Sequence, residues 1–258
     1  MEVRKQKELL LMKDYLKITP ILDYQSPTIQ SLIQKNGWGK LEEEEKIKQI
    51  YHFVKDDIKF GYNASDDIKA SQVLADGYGQ CNTKSTLFMA LLRAVNIPCR
   101  FHGFTIHKDL QEGALTPLAY KMAPKEIIHS WVEVYFQREW IFLEGLILDD
   151  EYLQRIQQTF SDCQGTFCGY GIATKNLKNP GVVWTGRSTF IQSEGIAQDF
   201  GIFNTPDEFY EKYGSNVKGL KKLLYSHVIR HAINKNVEKI RNGHQEGVFQ
   251  NSKGSKTI

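Results

Sequence analysis

The sequence predicts an α+β fold, in which helices pack against an antiparallel sheet, and three observations carry that expectation. Apolar residues recur at helical spacing around residues 42–58 and again at 81–95. From His129 the pattern switches to strict alternation, and a second apolar run at 140–148 follows closely enough to close a hairpin. At 258 residues, with 41% apolar and 24% charged side chains, the chain can bury a sizeable core, which excludes disordered and fibrous classes.

Taken in order, residues 1–44 carry Pro20, Pro27 and the turn-forming Asn36-Gly37-Trp38-Gly39, so they read as a helix-and-loop extension. The acidic run at 42–45 opens a helix whose Ile47, Ile50, Tyr51, Val54 and Ile58 share one face, with the acids where the helix dipole favours them. Gly77 and Gly79 form a loop that leads through Cys81 into a second helix. Its buried stripe is Leu87, Phe88, Leu91, Leu92 and Val95, and Asn96-Ile97-Pro98 ends it, because proline disfavours helical geometry in the residue before it. A strand at 99–106 and a polar loop at 107–125 precede the hairpin, where Trp131 and Trp140 are expected to fill core. Beyond 150 a helix at 151–160, an aromatic-rich stretch and a last helix with Val217, Leu220, Leu224 and Val228 on one face are expected. The expected division is thus 1–44, a core at 45–150, and an extension at 151–258 packed on that core.

Net charge is +3, but residues 215–258 hold nine Lys/Arg against two Glu, a local +7. With no RNA-binding motif or interleaved aromatics, that segment reads as a solvated helix face and frayed tail, and no nucleic acid is expected as partner. The longest apolar run near the N-terminus, residues 9–12, is flanked by Lys7 and Lys13, too short for a leader or a membrane span, so no membrane partner is expected. Four cysteines, at 81, 99, 163 and 168, are too few for a disulfide scaffold, and a reducing cytoplasm is the expected location. The C-x4-C pair Cys163/Cys168 lacks a second pair. His227 and His231 at i, i+4 lack the glutamate of H-E-x-x-H, and Gly77-x-Gly79 lacks a third glycine, so neither metal nor cofactor is expected.

Cys81 is the residue whose setting suggests chemistry. It follows a glycine-containing loop at the first turn of a helix, where unpaired N–H groups stabilise an anion, favour the thiolate and can hold an oxyanion. His129 supplies a base. If the hairpin turns on Gln137-Arg138, residue 136 pairs with 139 and 131 with 144. Glu144 then lies diagonally from His129 on one sheet face, close enough to accept its ring N–H; a loop one residue longer would turn Glu144 away.

These residues carry a resemblance. Gly79-Gln80-Cys81 opening an apolar helix, Asn96-Ile97-Pro98-Cys99-Arg100, His129-Ser130-Trp131-Val132-Glu133-Val134-Tyr135 and Trp140-Ile141-Phe142-Leu143-Glu144 are similar in order and spacing to the transglutaminase-like superfamily over about residues 45–146. The resemblance implies a papain-like core with a catalytic helix on an antiparallel sheet. By position it implies Cys81 as nucleophile, His129 as general base and acid, and Glu144 as the residue orienting the imidazole, where the family usually has aspartate. Asp149 and Asp150 stand in if Glu144 points away, and Gln80 and Tyr78 are candidates for the oxyanion hole. The implied activity is acyl transfer on a peptide, protein or other amide substrate through a thioester, by hydrolysis as a peptidase or amidase. An amine-accepting transglutaminase and a catalytically silent peptide-binding module are the alternatives.

Overall fold

In the computed structural model, which describes residues 12–217 and 220–243, helix α1 (Pro27–Asn36) starts on Pro27 and stops at Gly37, whose φ of 67° lets its N–H cap the last carbonyls. Helix α2 (Glu43–His52) has Glu43, Glu44 and Glu45 in its first turn and buries Ile47, Ile50 and Tyr51; one wide turn, Phe53–Asp57, prolongs it and buries Val54. Strand β1 (Lys59–Phe60) pairs in parallel with β2 (Tyr78–Gly79) around helix α3 (Ala70–Asp76). Helix α4 (Cys81–Ala94) then runs through the interior. Its residues from Cys81 to Arg93 are all buried, including the polar turn Asn82, Thr83, Lys84, Ser85 and Thr86, and such a turn has to find its hydrogen bonds inside the protein. The helix ends as Asn96 takes a left-handed φ of 66° ahead of Pro98.

The principal sheet is antiparallel, in the order β5-β4-β3-β8, built from β3 (Cys99–His107), β4 (Glu126–Phe136), β5 (Glu139–Leu143) and β8 (Ile196–Phe203). Helix α4 packs across β4 and β3. Leu87, Phe88, Leu91 and Leu92 meet Phe101, Val132, Val134 and Leu143 in the largest apolar cluster. The hairpin pairs Phe136 with Glu139 and Val132 with Leu143. Its two-residue turn puts Gln137 at φ 50° and Arg138 at φ 68°, the mirror-image turn whose twist matches the strands. Neither residue favours that region, so long-range pairing overrides local preference. The second strand stops at Leu143 rather than reaching 148, because Gly145, Leu146, Ile147 and Leu148 leave the ladder and fill core as irregular buried chain.

Helix α5 (Pro117–Met122) lies between β3 and β4 in sequence, and helix α6 (Asp150–Thr159) follows the hairpin, capped by the Asp149 carboxylate on the Tyr152 N–H at 3.1 Å. The short ribbon β6 (Phe167–Gly169) and β7 (Ile172–Thr174) comes next. Helix α7 (Pro206–Tyr213) covers β3 where Gly103 leaves room: a Cβ there would stand 2.3 Å from the Phe209 ring. Gly103→Ala should therefore cost about 1–3 kcal/mol through displacement of Phe209, read as a lower urea midpoint at unchanged slope.

The C-terminal helices depart from the sequence reading. Helix α8 (Leu220–Leu224) passes through a wide turn, Tyr225–Ile229, into helix α9 (Arg230–Arg241). The stripe expected inside is not: Val217 precedes the helix, and Leu224 and Val228 are 50% and 58% exposed. The buried face is Ile233, Val237 and Ile240, packed with Tyr152, Leu153 and Ile156 of α6. The basic segment is not merely a solvated face either, since Arg241 is buried against Asp149. Among the described residues no helix is long and apolar enough to cross a membrane.

Candidate active site

Cys81 is the first residue of α4, and Gln80 caps it. The Gln80 N–H donates to Thr83 Oγ1 at 3.1 Å, and the Gln80 side-chain carbonyl accepts the Asn63 N–H at 3.0 Å. These bonds hold the chain rigidly as it enters the helix, where the first amides have no intrahelical acceptor. Cys81 is buried and lines a cavity of about 420 Å³.

The helix is tied to β4 next to the thiol. Asn82 donates to the Ile128 carbonyl at 3.0 Å and to Asp66 Oδ1 at 3.0 Å, and its own carbonyl accepts the Ser130 hydroxyl at 3.0 Å. Asn82 neighbours Cys81 and Ser130 neighbours His129, so this pair sets the distance between thiol and imidazole. Neither residue stood out in the sequence. The available signal was a polar side chain directly beside each candidate, at positions otherwise expected to be apolar.

His129 on β4 is fully buried beneath Phe104, ring centroids 4.7 Å apart. Its Nε2–H donates to Glu144 Oε1 at 2.8 Å. A carboxylate only accepts, so Nε2 bears the proton and Nδ1 is left as the basic nitrogen. Nδ1 makes no aligned hydrogen bond. The Cys81 thiol is nonetheless the neighbour that acts on the ring most strongly. Burial disfavours the imidazolium, but the nearby Cys81 sulfur, followed by Glu144, outweighs that and lifts the His129 pKa to about 9.

Glu144 sits one residue beyond β5, in the register expected from a turn at Gln137-Arg138. Its Oε2 accepts the backbone N–H groups of Ile191 at 2.9 Å and Gln192 at 3.0 Å. Thr189 accepts the Glu144 N–H at 3.0 Å and takes the Gly145 N–H on its hydroxyl at 3.2 Å. The carboxylate thus bridges the imidazole and the 189–192 segment, a reach that suits glutamate. That segment lies in the stretch where periodicity gave no reading.

The structure brings Cys81, His129 and Glu144 to one place and takes the stand-in acids elsewhere. Asp149 accepts the N–H of Phe60 at 2.8 Å and pairs with Arg241, while Asp150 pairs with Lys55. Of the two oxyanion candidates, Gln80 lines the cavity and donates to Asp66 at 3.2 Å with one of its two amide hydrogens. Tyr78 is turned to Arg230, whose guanidinium donates to its hydroxyl at 2.9 Å. Trp131 is 9% exposed and packs with Phe104, Phe142 and Phe190 as core beside the site. Among the described residues no group of three metal-ligating side chains is assembled.

Residues 31–145 match the transglutaminase-like superfamily. Two solved structures are similar over about half of the chain. A putative cysteine protease from Cytophaga hutchinsonii is 19% identical, with 54% of this chain and 43% of that one covered and a TM-score of 0.37. Red sea bream transglutaminase is 17% identical, with 52% and 26% covered and a TM-score of 0.30. The chain therefore spans less than half the length of either. No curated protein matches.

Proposed function

We propose that the transglutaminase-like core of residues 31–145 makes this chain a cysteine-dependent acyl-transfer enzyme acting on amides, with water as the acyl acceptor. One observation carries the reading: a thiol at a buried helix start faces an imidazole whose far nitrogen is locked onto a buried carboxylate. Cys81 gives its proton to His129 Nδ1, and Sγ attacks the amide carbonyl carbon as the thiolate of that ion pair. The oxyanion is met by the Cys81 N–H and the remaining amide hydrogen of Gln80. The imidazolium then protonates the leaving amine as the C–N bond breaks, and a thioester remains. Water, deprotonated by His129, attacks that thioester and releases acid and thiol. Water is favoured over an amine because Asp66, the one carboxylate among the described residues that line the cavity, is spent. Gln80 and Asn82 donate to Oδ1, and the Asn216 N–H donates to Oδ2 at 2.9 Å, so no free acid waits for an ammonium group. None of the four cysteines is in a disulfide, so the Cys81 thiol is free to act.

Intact mass spectrometry with iodoacetamide at pH 6.5 tests the nucleophile. Cys81 should be alkylated first of the four thiols, and Cys81→Ala should remove both the fast adduct and all turnover. An amine donor added with the substrate should not enter the product. Labelling of Cys81 no faster than the other cysteines would sink the assignment, and incorporation of the amine would replace water as acceptor.

A further inference from the structure

The geometry points to a substrate whose group next to the scissile carbonyl is long and apolar, seated in the cavity that Cys81 lines; this rests on the reading of Cys81 as nucleophile and deepens it. At about 420 Å³ the cavity has the size of a site for a whole small ligand. Beyond the thiol its walls are Leu115, Ala119, Met122, Ile127, Ile229 and Ile233, and among the described residues no lysine or arginine lines it.

Most of the polar groups that line it are committed to one another. Asp66 accepts three hydrogen bonds, and the Tyr62 hydroxyl donates to Gln111. Asn82 and Asn216 both donate to the Ile128 carbonyl, and Asn216 also accepts the Ile128 N–H at 2.7 Å. A charged side chain would lose its water there without finding a free counter-charge among the described residues. An apolar chain would gain about fourfold in affinity per buried methylene.

A second observation extends the same surface outward. On one bank Met122 is 50% exposed and Leu118, on the same helix, 66%. On the other, Leu223, Leu224 and Val228 flank the cavity residues Tyr225 and Ile229 and are 50–60% exposed. Exposed apolar side chains on the two helices that wall the cavity are surface on which a ligand longer than the cavity could continue.

The test follows the rate of Cys81 alkylation by N-alkyl iodoacetamides from methyl to decyl. In parallel, kcat/KM is measured on acyl p-nitroanilides of the same lengths and on acetyl-Xaa p-nitroanilides with Leu, Phe, Gln or Lys. Rates should rise about three- to fourfold per methylene until the cavity is full, and Leu and Phe should exceed Gln and Lys by at least tenfold. The two substrate series separate a fatty acyl chain from an apolar amino-acid side chain. Ala119→Phe should move the optimum to shorter chains. The surface change Met122→Glu should slow decyl reagents at least tenfold more than methyl ones. Binding of decanamide and acetamide to Cys81→Ala, by calorimetry, keeps the two readings apart. Preference for decanamide without alkylation at any length supports the apolar site and removes the nucleophile. Alkylation at one rate for all lengths, or a preference for Gln or Lys, overturns the apolar substrate and leaves the nucleophile standing.

Discussion

Glu144→Gln should lower kcat on the order of 10³- to 10⁴-fold while the protein stays folded. The carboxylate accepts three N–H groups, from His129 Nε2, Ile191 and Gln192. A glutamine offers one carbonyl and one amide group. Its carbonyl would satisfy the two backbone N–H groups, and its NH₂ would then point at His129. The ring can meet that donor only by shifting its proton to Nδ1, the nitrogen that must receive the proton of Cys81. A base held in the wrong tautomer costs a loss of that size. The pH profile separates this from general damage. His129 is lifted to about 9, against burial, by Cys81 and then by Glu144. The protonated imidazole needed by the leaving group therefore persists up to that pH, and kcat/KM should fall as pH rises through about 9. Removing the Glu144 charge removes one of the upward influences, so the descending limb should move to lower pH in Glu144→Gln. Stability follows the same sign: the contribution of His129 is complete below its ordinary pKa of 6.5 and is lost as pH rises through about 9. A glutamine variant with wild-type kcat and an unmoved limb would show that Glu144 does not orient the base.

Much of this site was legible because period-two and helical patterns specify faces. His129 and Glu144 depended on one register, and the register on a turn at Gln137-Arg138. Those residues carry no turn preference, so local chemistry argued weakly for the pairing that the flanking Val132, Val134, Ile141 and Leu143 impose. The elements that hold Glu144 were not legible. Thr189, Ile191 and Gln192 act through backbone groups and one hydroxyl, and no side-chain pattern advertises a backbone amide. The last helices misled for a different reason. Val217, Leu220, Leu224 and Val228 fit a helical stripe, yet the core is covered one stretch later by Ile233, Val237 and Ile240. Periodicity marks an apolar face without saying what it faces, and Leu224 and Val228 stay exposed.

Arg241→Ala should destabilise the protein by about 3–5 kcal/mol at pH 7, the cost of leaving a buried charge without its partner. Asp149 is fully buried, and Arg241 is the cation that answers it, through Nε at 3.1 Å and Nη2 at 2.9 Å; Nη2 also donates to the Phe60 carbonyl at 2.9 Å. Burial alone would raise the Asp149 pKa, but hydrogen bonds and charge from Arg241, with the Phe60 N–H and Lys84, hold it below the usual carboxylate range. A depressed carboxyl stabilises the fold above its unfolded pKa of about 4 and loses that contribution as pH falls through the lower folded value. Without Arg241 the balance reverses. The unpaired carboxylate is most costly at neutral pH and is relieved by protonation, so the gap between variant and wild type in urea unfolding should narrow from pH 7 to pH 5. The consequence reaches the cavity, because the clamp fastens the end of α9 to β1, and α9 contributes Ile233 to the cavity wall. Asn234 makes a second tie, its side chain accepting the Tyr62 N–H at 2.7 Å and donating to the Tyr62 carbonyl at 3.0 Å. Asn236 adds another, donating to the Gly113 and Ala114 carbonyls at 2.9 and 2.8 Å. With the Arg241 tie cut, hydrogen exchange should quicken in α9 before it does in α4. A destabilisation below 1 kcal/mol, equal at both pH values, would mean that water replaces the guanidinium and that α9 is held by its apolar face and its asparagine ties without Arg241.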